Sequence, residues 1–419
     1  MTDSPIPESV ESCRSNMQFG TFMAPFHPPV TSVTRDLGRD LELVEWLDEL
    51  GFDEAWFGEH HTSGYEIIAA PELMIAAAAQ RTRHIRLGTG VVSLAYHHPL
   101  IVANRIAQLD NMTRGRVLFG VGPGSLPSDA KMLGIPYTEN RRRMEESMDA
   151  IMHLFTSDEP LTVDRGWFKL NEGMLNYEPY QKPHPPVAVA SVASPNAPRI
   201  AGKWGLPLLS LTGNNRRNFE VIRQQFAILK QRSEEFGAPV ASRAQWRLTG
   251  PMHIAETREQ AERDVEFGLR DWISYFFRFP AELAKLAEDL GKGISETTEL
   301  EVIRGSGFGV VGTPDDAIAH LERLQEETGG FGVYLFLAHN WANREATLKS
   351  QELLAHYVIP HFQGRLKRRQ ARWAHMLENF SETAQEMRRG MEEAVDRHNR
   401  EYGGTDGRAT AAAGSEKWQ

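Results

Sequence analysis

Ile85-Arg86-Leu87-Gly88-Thr89-Gly90-Val91-Val92-Ser93 is a short run of mostly apolar and small residues. A helix-period stretch, Leu100–Asn111, follows it, and then comes a second run, Arg116-Val117-Leu118-Phe119-Gly120-Val121-Gly122. Runs that are apolar on consecutive residues suit strands buried on both faces, and a helix between two of them is the βαβ unit of a parallel sheet. The same rhythm extends in both directions. Further runs stand at Gln18–Met23, Glu54–Gly58, Pro186–Ser191, Leu206–Leu211, Trp246–Ile254 and Val333–Ala338. Helix-period stretches at Asp36–Leu50, Pro71–Gln80, Arg142–Phe155, Ala197–Lys203, Phe219–Glu235, Arg258–Leu269 and Asp315–Glu327 separate them, with a last one at Arg344–Tyr357. Eight strands alternating with helices predict an α/β chain whose residues 17–360 form a closed (β/α)8 TIM barrel. An open doubly wound sheet is the alternative.

Two stretches fall outside the repeat. Glu159–Tyr180 alternates like a hairpin, and Asp271–Gly305 is rich in aromatics (Trp272, Tyr275, Phe276, Phe277, Phe279) and is expected either to pack onto the barrel or to form a lid. In a barrel, insertions that follow strands land on the face that carries the active site. Beyond Pro360, residues Leu366, Trp373, Met376, Phe380, Met387, Met391 and Ala394 recur at three-, four- and seven-residue spacings. They predict an extra amphipathic C-terminal helix over 361–402, whose apolar stripe suits self-association as a homodimer or homotetramer. Residues 1–16 and 403–419 read as a disordered arm and tail.

Composition narrows the function classes. The 419 residues carry 56 Asp+Glu against 46 Lys+Arg, a formal charge of −10, which argues against a nucleic-acid footprint. Cys13 is the only cysteine, so a disulfide framework and a cysteine-based zinc site are excluded. The polar start, Met1–Asn16, has no apolar signal core, and no apolar run is long enough to span a membrane, so a cytoplasmic location is expected.

The chemistry-bearing motifs sit at strand ends. Trp56-Phe57-Gly58-Glu59-His60-His61 places a carboxylate and two imidazoles directly after a buried strand. Histidine suits proton transfer because its pKa lies nearest neutrality. A composite zinc site with His97-His98 is the alternative, although the helical His-x3-His spacing is absent. Phe119-Gly120-Val121-Gly122-Pro123-Gly124 fails as a dinucleotide fingerprint, because Pro123 and Pro127 interrupt it and no helix opens at once. It suits a wall for a flat ring, with a plain tight turn as the simpler reading. Ser191, Ser194 and Asn196 precede a helix whose N-terminus can hold a phosphate, simple capping being compatible with that. Val311-Gly312-Thr313-Pro314-Asp315-Asp316 reads as a helix cap with proline at the first helical position.

Taken together and in order, these segments resemble the bacterial-luciferase-like flavin-dependent monooxygenases, most closely the limonene monooxygenase type, over about Gln18 to Tyr357. The resemblance also rests on Asp40-Leu41-Glu42-Leu43-Val44, Gly51-Phe52-Asp53-Glu54-Ala55 and Gly250-Pro251-Met252-His253-Ile254-Ala255-Glu256-Thr257. It implies a barrel that binds reduced FMN non-covalently and receives it from a separate NAD(P)H:flavin reductase. The flavin reacts with O2 to a C4a-hydroperoxide, which oxygenates an apolar small molecule by epoxidation, hydroxylation or Baeyer–Villiger-type insertion. His60 then corresponds to the histidine at the reactive flavin edge, as acid/base or peroxide stabiliser. Gly90-Val91 corresponds to a bulge that often carries a non-prolyl cis peptide, and Val121, Gly122 and Gly124 to the wall beside the ring. Pro123 stands where luciferases carry an arginine for the phosphate, so Ser191, Ser194 and Asn196 are assigned to it. Glu59, Tyr65, Ser93 and Tyr96 are expected to shape the substrate pocket. A deazaflavin-dependent dehydrogenase and a non-catalytic flavin-binding barrel are the rival readings on the same fold.

Overall fold

The computed structural model describes residues 13, 16–24, 26–192, 194–211, 218–276, 298–305 and 307–402. Thirteen strands are present among them: Gln18–Met23 (β1), Glu54–Phe57 (β2), Arg86–Thr89 (β3), Val92–Ser93 (β4), Val117–Gly122 (β5), Leu161–Asp164 (β6), Lys169–Gly173 (β7), Val187–Ser191 (β8), Leu208–Ser210 (β9), Arg247–Gly250 (β10), Met252–Ile254 (β11), Val310–Gly312 (β12) and Val333–Leu337 (β13). Each of the eight predicted runs contains a strand of the barrel. β1 pairs in parallel with β2 and β13, β3 with β2 and β5, β8 with β5 and β9, and β10 with β9 and β13. The ring is closed, which removes the open-sheet alternative.

The helices of the barrel layer are Val33–Leu50 (α1), Pro71–Ala79 (α2), Pro99–Thr113 (α3), Pro127–Met132 (α4), Asn140–Thr156 (α5), Asn196–Trp204 (α6), Asn218–Phe236 (α7), Arg258–Val265 (α8), Leu269–Phe276 (α9), Glu299–Gly305 (α10), Pro314–Thr328 (α11), Arg344–Leu353 (α12) and Ile359–Phe362 (α13). Their buried faces, such as Val44 and Leu47 of α1, Ile75 of α2 and Val102 and Ile106 of α3, join the outward side chains of the strands in one continuous core. Thr313 caps α11 in a capping box with Asp316, and Pro314 stands at its first position, as the motif predicts.

Inside the ring a second cluster joins Phe22, Trp56, Leu118, Ala188, Leu209, Val333 and Leu335. Trp56 is fully buried and fills the centre. A Cβ added to Gly88 would lie 2.5 Å from the Trp56 ring, and one added to Gly120 would lie 2.8 Å from it. Glycine at 88 therefore admits the indole, and glycine at 120 admits both the indole and the still closer Thr89 carbonyl oxygen. Below it, Arg247 of β10 donates to both oxygens of Glu54 on β2, at 2.7 and 2.8 Å, and the Trp56 Nε1–H donates to Glu54 at 2.9 Å. The guanidinium lies 5.0 Å from the Trp56 ring centroid. Burial alone pushes the Glu54 carboxyl up, but Arg247 outweighs it and holds the pKa below the usual range.

The departures from expectation have local causes. The seventh run does not continue as one strand: β10 ends at Gly250, Pro251 has no N–H for the ladder, and β11 leaves to pair with β12 in a separate two-stranded sheet. The third run, by contrast, agrees with expectation: β3 and β4 are separated at Gly90-Val91, and the peptide between these two residues is cis. Glu159–Tyr180 does hold a hairpin, β6 against β7 antiparallel. Of the 271–305 insertion, Trp272 and Tyr275 are buried, in a cluster with Trp341 and Phe26, whereas Phe277 and Phe279 lie outside the described residues. Cys13, placed by the sequence in a disordered arm, is a buried helical residue; the rest of 1–12 and 14–15, and the tail 403–419, lie outside the described residues.

The chain divides into two compact units, residues 1–363 and 364–419. In the second, the expected single helix is two, Lys367–Glu378 (α14) and Phe380–Tyr402 (α15), separated at Asn379. Trp373, Met376, Phe380, Met387 and Met391 of its apolar stripe are exposed. Among the described residues no helix is long and apolar enough to cross a membrane.

Two substitutions test the barrel interior. Gly88→Ala should overpack the Trp56 site and destabilise the fold by about 1–3 kcal/mol. Glu54→Gln, which leaves the Arg247 guanidinium buried without its counter-charge, should cost about 3–5 kcal/mol. Urea unfolding of both variants reads the two costs directly.

Candidate active site

The C-terminal ends of the strands carry the charged motifs, and the interior cluster ends there in half-buried apolar side chains, Ala24, Val91, Leu211 and Leu337. These four come from the ends of the first, third, sixth and eighth barrel strands, so the mouth of the barrel has an apolar floor.

Register brings one side of the mouth together. Val92 pairs with Val121 and Ser93 with Gly122, while Val121 also pairs with Val189 of β8. A Cβ on Gly122 would lie 2.6 Å from the Val91 side chain and 3.6 Å from that of Ala190. The bulge at Gly90-Val91, the strand end at Val121-Gly122 and the end of β8 are thus contiguous. Ser191 follows on β8 opposite Ser210, and its buried hydroxyl has no hydrogen-bond partner. Ser194 and Asn196 stand at the start of α6, where the Ser194 hydroxyl accepts from the Asn196 N–H at 3.2 Å. The residue at the N-cap itself is Pro195, so the capping expected of a Ser194 or Asn196 side chain takes this shorter local form. Gly124 adopts φ +84°, and a Cβ there would meet the Tyr96 hydroxyl at 2.2 Å.

The segment after β2 adjoins this side, since β2 pairs with β3, and three carboxylates, Glu59, Glu66 and Asp129, organise the histidines there. Glu59 is buried and accepts from Ser93 N at 2.6 Å, with His61 Nε2 at 3.0 Å and His97 Nε2 at 2.7 Å from its other oxygen. Burial pushes its carboxyl up, but the bonds from His61, His97 and Ser93 outweigh this and bring it to about 2. The same bond raises the His61 pKa. His60 lies with Nδ1 3.3 Å from Asp129 of α4 and Nε2 2.8 Å from Glu66. Burial lowers the His60 pKa, and these two carboxylates reverse the effect and raise it to about 9. Tyr96 sits edge-on to His61, and burial raises its hydroxyl to about 12. Tyr65 belongs to a separate wall, stacked on Phe26 at 5.0 Å and packed against Tyr275 of α9 at 4.6 Å. Among the described residues no cluster of His, Cys, Asp and Glu has the arrangement of a metal site.

The comparisons with known proteins agree with this architecture. A profile of the family described as luciferase-like monooxygenase matches residues 17–330. The chain belongs to that family. It is 44% identical to limonene 1,2-monooxygenase of Rhodococcus erythropolis over 350 residues, 84% of this chain and 88% of the relative. It is 42% identical to 4-hydroxyprotoasukamycin monooxygenase of Streptomyces nodosus subsp. asukaensis, over 84% of this chain and 93% of the relative. The fold is also that of the oxygenating constituent of 3,6-diketocamphane monooxygenase of Pseudomonas putida, a Type II Baeyer–Villiger enzyme solved with FMN. That structure has a TM-score of 0.72 at 23% identity and covers 82% of this chain and 98% of its own.

The residues of this luciferase-like monooxygenase fit a flavin on their own terms. The half-buried apolar floor of Ala24, Val91, Leu211 and Leu337 suits one face of a flat ring, Gly122 giving up its side chain to seat Val91, and the unpartnered Ser191 hydroxyl is a donor in want of an acceptor. The sequence reading singles out neither Asp129 nor Glu66, and names His97 only in the zinc alternative and Tyr275 only among the aromatics of the insertion. The polar turn Ser128-Asp129 before a helix is a weak local signal, and nothing local marks Glu66 at all.

The Glu59 anchor has a pH signature. Its folded-state pKa of about 2 lies below the ordinary 4.5, so its stabilisation is present above pH 4.5 and is lost as pH falls through the window between the two values. Glu59→Gln should lower stability at neutral pH by on the order of 3 kcal/mol, the equivalent of the shift. Denaturant unfolding at a series of pH values should show the gap between wild type and variant closing across that window.

Proposed function

We propose that this chain is an FMN-dependent monooxygenase that takes reduced FMN from a separate NAD(P)H:flavin reductase and places one atom of O2 into an apolar small molecule. The observation that carries the reading is the apolar barrel mouth, where Val91, Gly122 and Ala190 adjoin the carboxylate-held histidines that follow the neighbouring β2. The two monooxygenase relatives, at 44% and 42% identity, support the oxygenase over the dehydrogenase and non-catalytic alternatives. Reduced FMN, when bound, would supply the two electrons that activate O2 for transfer of one oxygen atom.

The protein's part is to hold, shield and protonate. Gly90, Val91, Val121, Gly122 and Gly124 form the wall for the ring, and Ser191, Ser194 and Asn196 offer hydroxyl and amide donors to the phosphate at the start of α6. The half-buried apolar side chains of the mouth exclude water from the reacting edge. His60 carries positive charge and protons on the rim and stabilises negative charge that develops on oxygen. Glu59 and Ser93 act from below by fixing His61 and His97, and Tyr65 and Tyr96 bound the substrate space. The substrate class that suits an apolar floor is an alkene or ketone without charge, consistent with the limonene relative. The exposed stripe of α14 and α15 supports assembly as a homodimer or homotetramer.

Incubation with FMN, a generic flavin reductase, NADH and a panel of apolar alkenes and ketones under 18O2 should give products carrying a single 18O. Product labelled from water, or no oxygenated product with any panel member, would sink the assignment. His60→Ala should bind FMN as wild type does while diverting O2 consumption into H2O2. Unchanged product yield in that variant removes His60 from the chemistry.

A further inference from the structure

His60 is enclosed by acceptors. Its Nδ1 faces Asp129 Oδ2 at 3.3 Å and its Nε2 faces Glu66 Oε2 at 2.8 Å. The Asp129 contact is a hydrogen bond, whereas the Glu66 contact is a close ion-pair approach whose Oε2 has no hydrogen-bond partner, so a negative charge set at each ring nitrogen favours the doubly protonated, cationic imidazole. The second oxygen of each carboxylate is also committed. Asp129 Oδ1 accepts from the His61 backbone N–H at 3.2 Å and from the Thr62 hydroxyl. Glu66 Oε1 accepts from the Tyr275 hydroxyl at 2.7 Å. Neither carboxylate can rotate away from His60 without breaking a bond on its far side.

The three supports come from three different crossovers. His60 and Glu66 lie in the connection after β2, Asp129 in α4 after β5, and Tyr275 in α9 after β10. The Glu66 backbone is itself fixed by an antiparallel bridge to Phe26, and the Phe26 ring packs 5.2 Å from that of Tyr275. We propose that Glu66, braced by Tyr275 and acting with Asp129, is a positioning clamp that fixes His60 as a doubly protonated imidazolium at the barrel rim. The insertion after the seventh barrel strand thereby sets the charge state of a histidine presented by the second.

This deepens the oxygenase reading and rests on it for its consequence. A clamped His60 offers the oxygen chemistry a standing positive charge, where a histidine with a free ring nitrogen would switch to a neutral base near neutrality. The other charged groups around it are arranged not to compete: His61 is drawn to Glu59, and Glu59 is itself occupied by His61, His97 and Ser93.

The test is a titration that needs no flavin. In full-length protein labelled with 13C-histidine, the His60 Cε1–H resonance, assigned with His60→Gln, should titrate at about 9 against the ordinary 6.5. Glu66→Gln should lower that midpoint by about one unit or more, a tenfold loss of proton affinity. Tyr275→Phe, which removes only the brace, should lower it by a smaller step, and it carries the test if Glu66→Gln does not fold. A wild-type midpoint near 6.5, or a midpoint that neither variant moves, overturns the clamp. In the presence of reduced FMN and O2, both variants should release more H2O2 per product as pH rises above neutrality. A His60 midpoint at about 9 that both variants lower, in a protein that makes no oxygenated product, would instead overturn the oxygenase reading and leave the clamp standing.

Discussion

The indole of Trp56 occupies the inside of the barrel, and the other layers are built around it. An indole at the axis of an eight-stranded ring is too large unless its neighbours give up their side chains, and Gly88 and Gly120 do so on the flanking strands. Its N–H must be satisfied away from water, and Glu54 accepts it. The carboxylate must in turn be neutralised, and Arg247 does that with a bidentate contact while its guanidinium faces the ring. One bulky side chain therefore fixes two glycines and a buried ion pair, and that set defines the register between opposite sides of the ring. The half-buried apolar floor above it is the upper surface of the same plug.

The rim follows a related logic with the signs arranged for chemistry. Each histidine after β2 is placed against a carboxylate, and each carboxylate is shared. Glu59 gathers His61, His97 and the Ser93 amide, while Asp129 and Glu66 divide His60. Burial by itself would push the carboxyls up and the imidazoles down, toward neutral groups. Paired at hydrogen-bond distance they move the other way, so the rim holds separated charges in a partly desolvated setting. Such charges need no reorganisation when negative charge develops on a bound reactant.

Much of the fold is legible along the chain because periodicity and burial are local properties. All eight barrel strands fall within runs that are apolar on successive residues, and the capping box at Thr313 stands where Thr-Pro-Asp-Asp announces it. The misreadings are local too. Met252–Ile254 continues the apolar run of the seventh strand, yet Pro251 cannot donate to the ladder, and three residues leave the barrel to pair with β12. The extra C-terminal helix carries one unbroken stripe of apolar residues, yet it divides at Asn379. In the candidate site, Gly90, Val91, Gly122 and His60 are visible as strand-end motifs, whereas Tyr275 is marked only as one aromatic among several and Glu66 carries no pattern of its own.

The order of strands and helices, the glycines beside the plug and the Glu-His-His rim were written in the sequence, since each depends on near neighbours or on a period. The choice of partners was not. Glu54 and Arg247 stand 193 positions apart, His60 and Asp129 69, and Tyr275 and Glu66 209. With 56 acidic and 46 basic residues, nothing local singles out one opposite charge over another. Only closure of the ring, which brings the starts of β2 and β10 together below Trp56 and the segments after β2, β5 and β10 together at the rim, selects the pairs and with them the charge that each histidine holds.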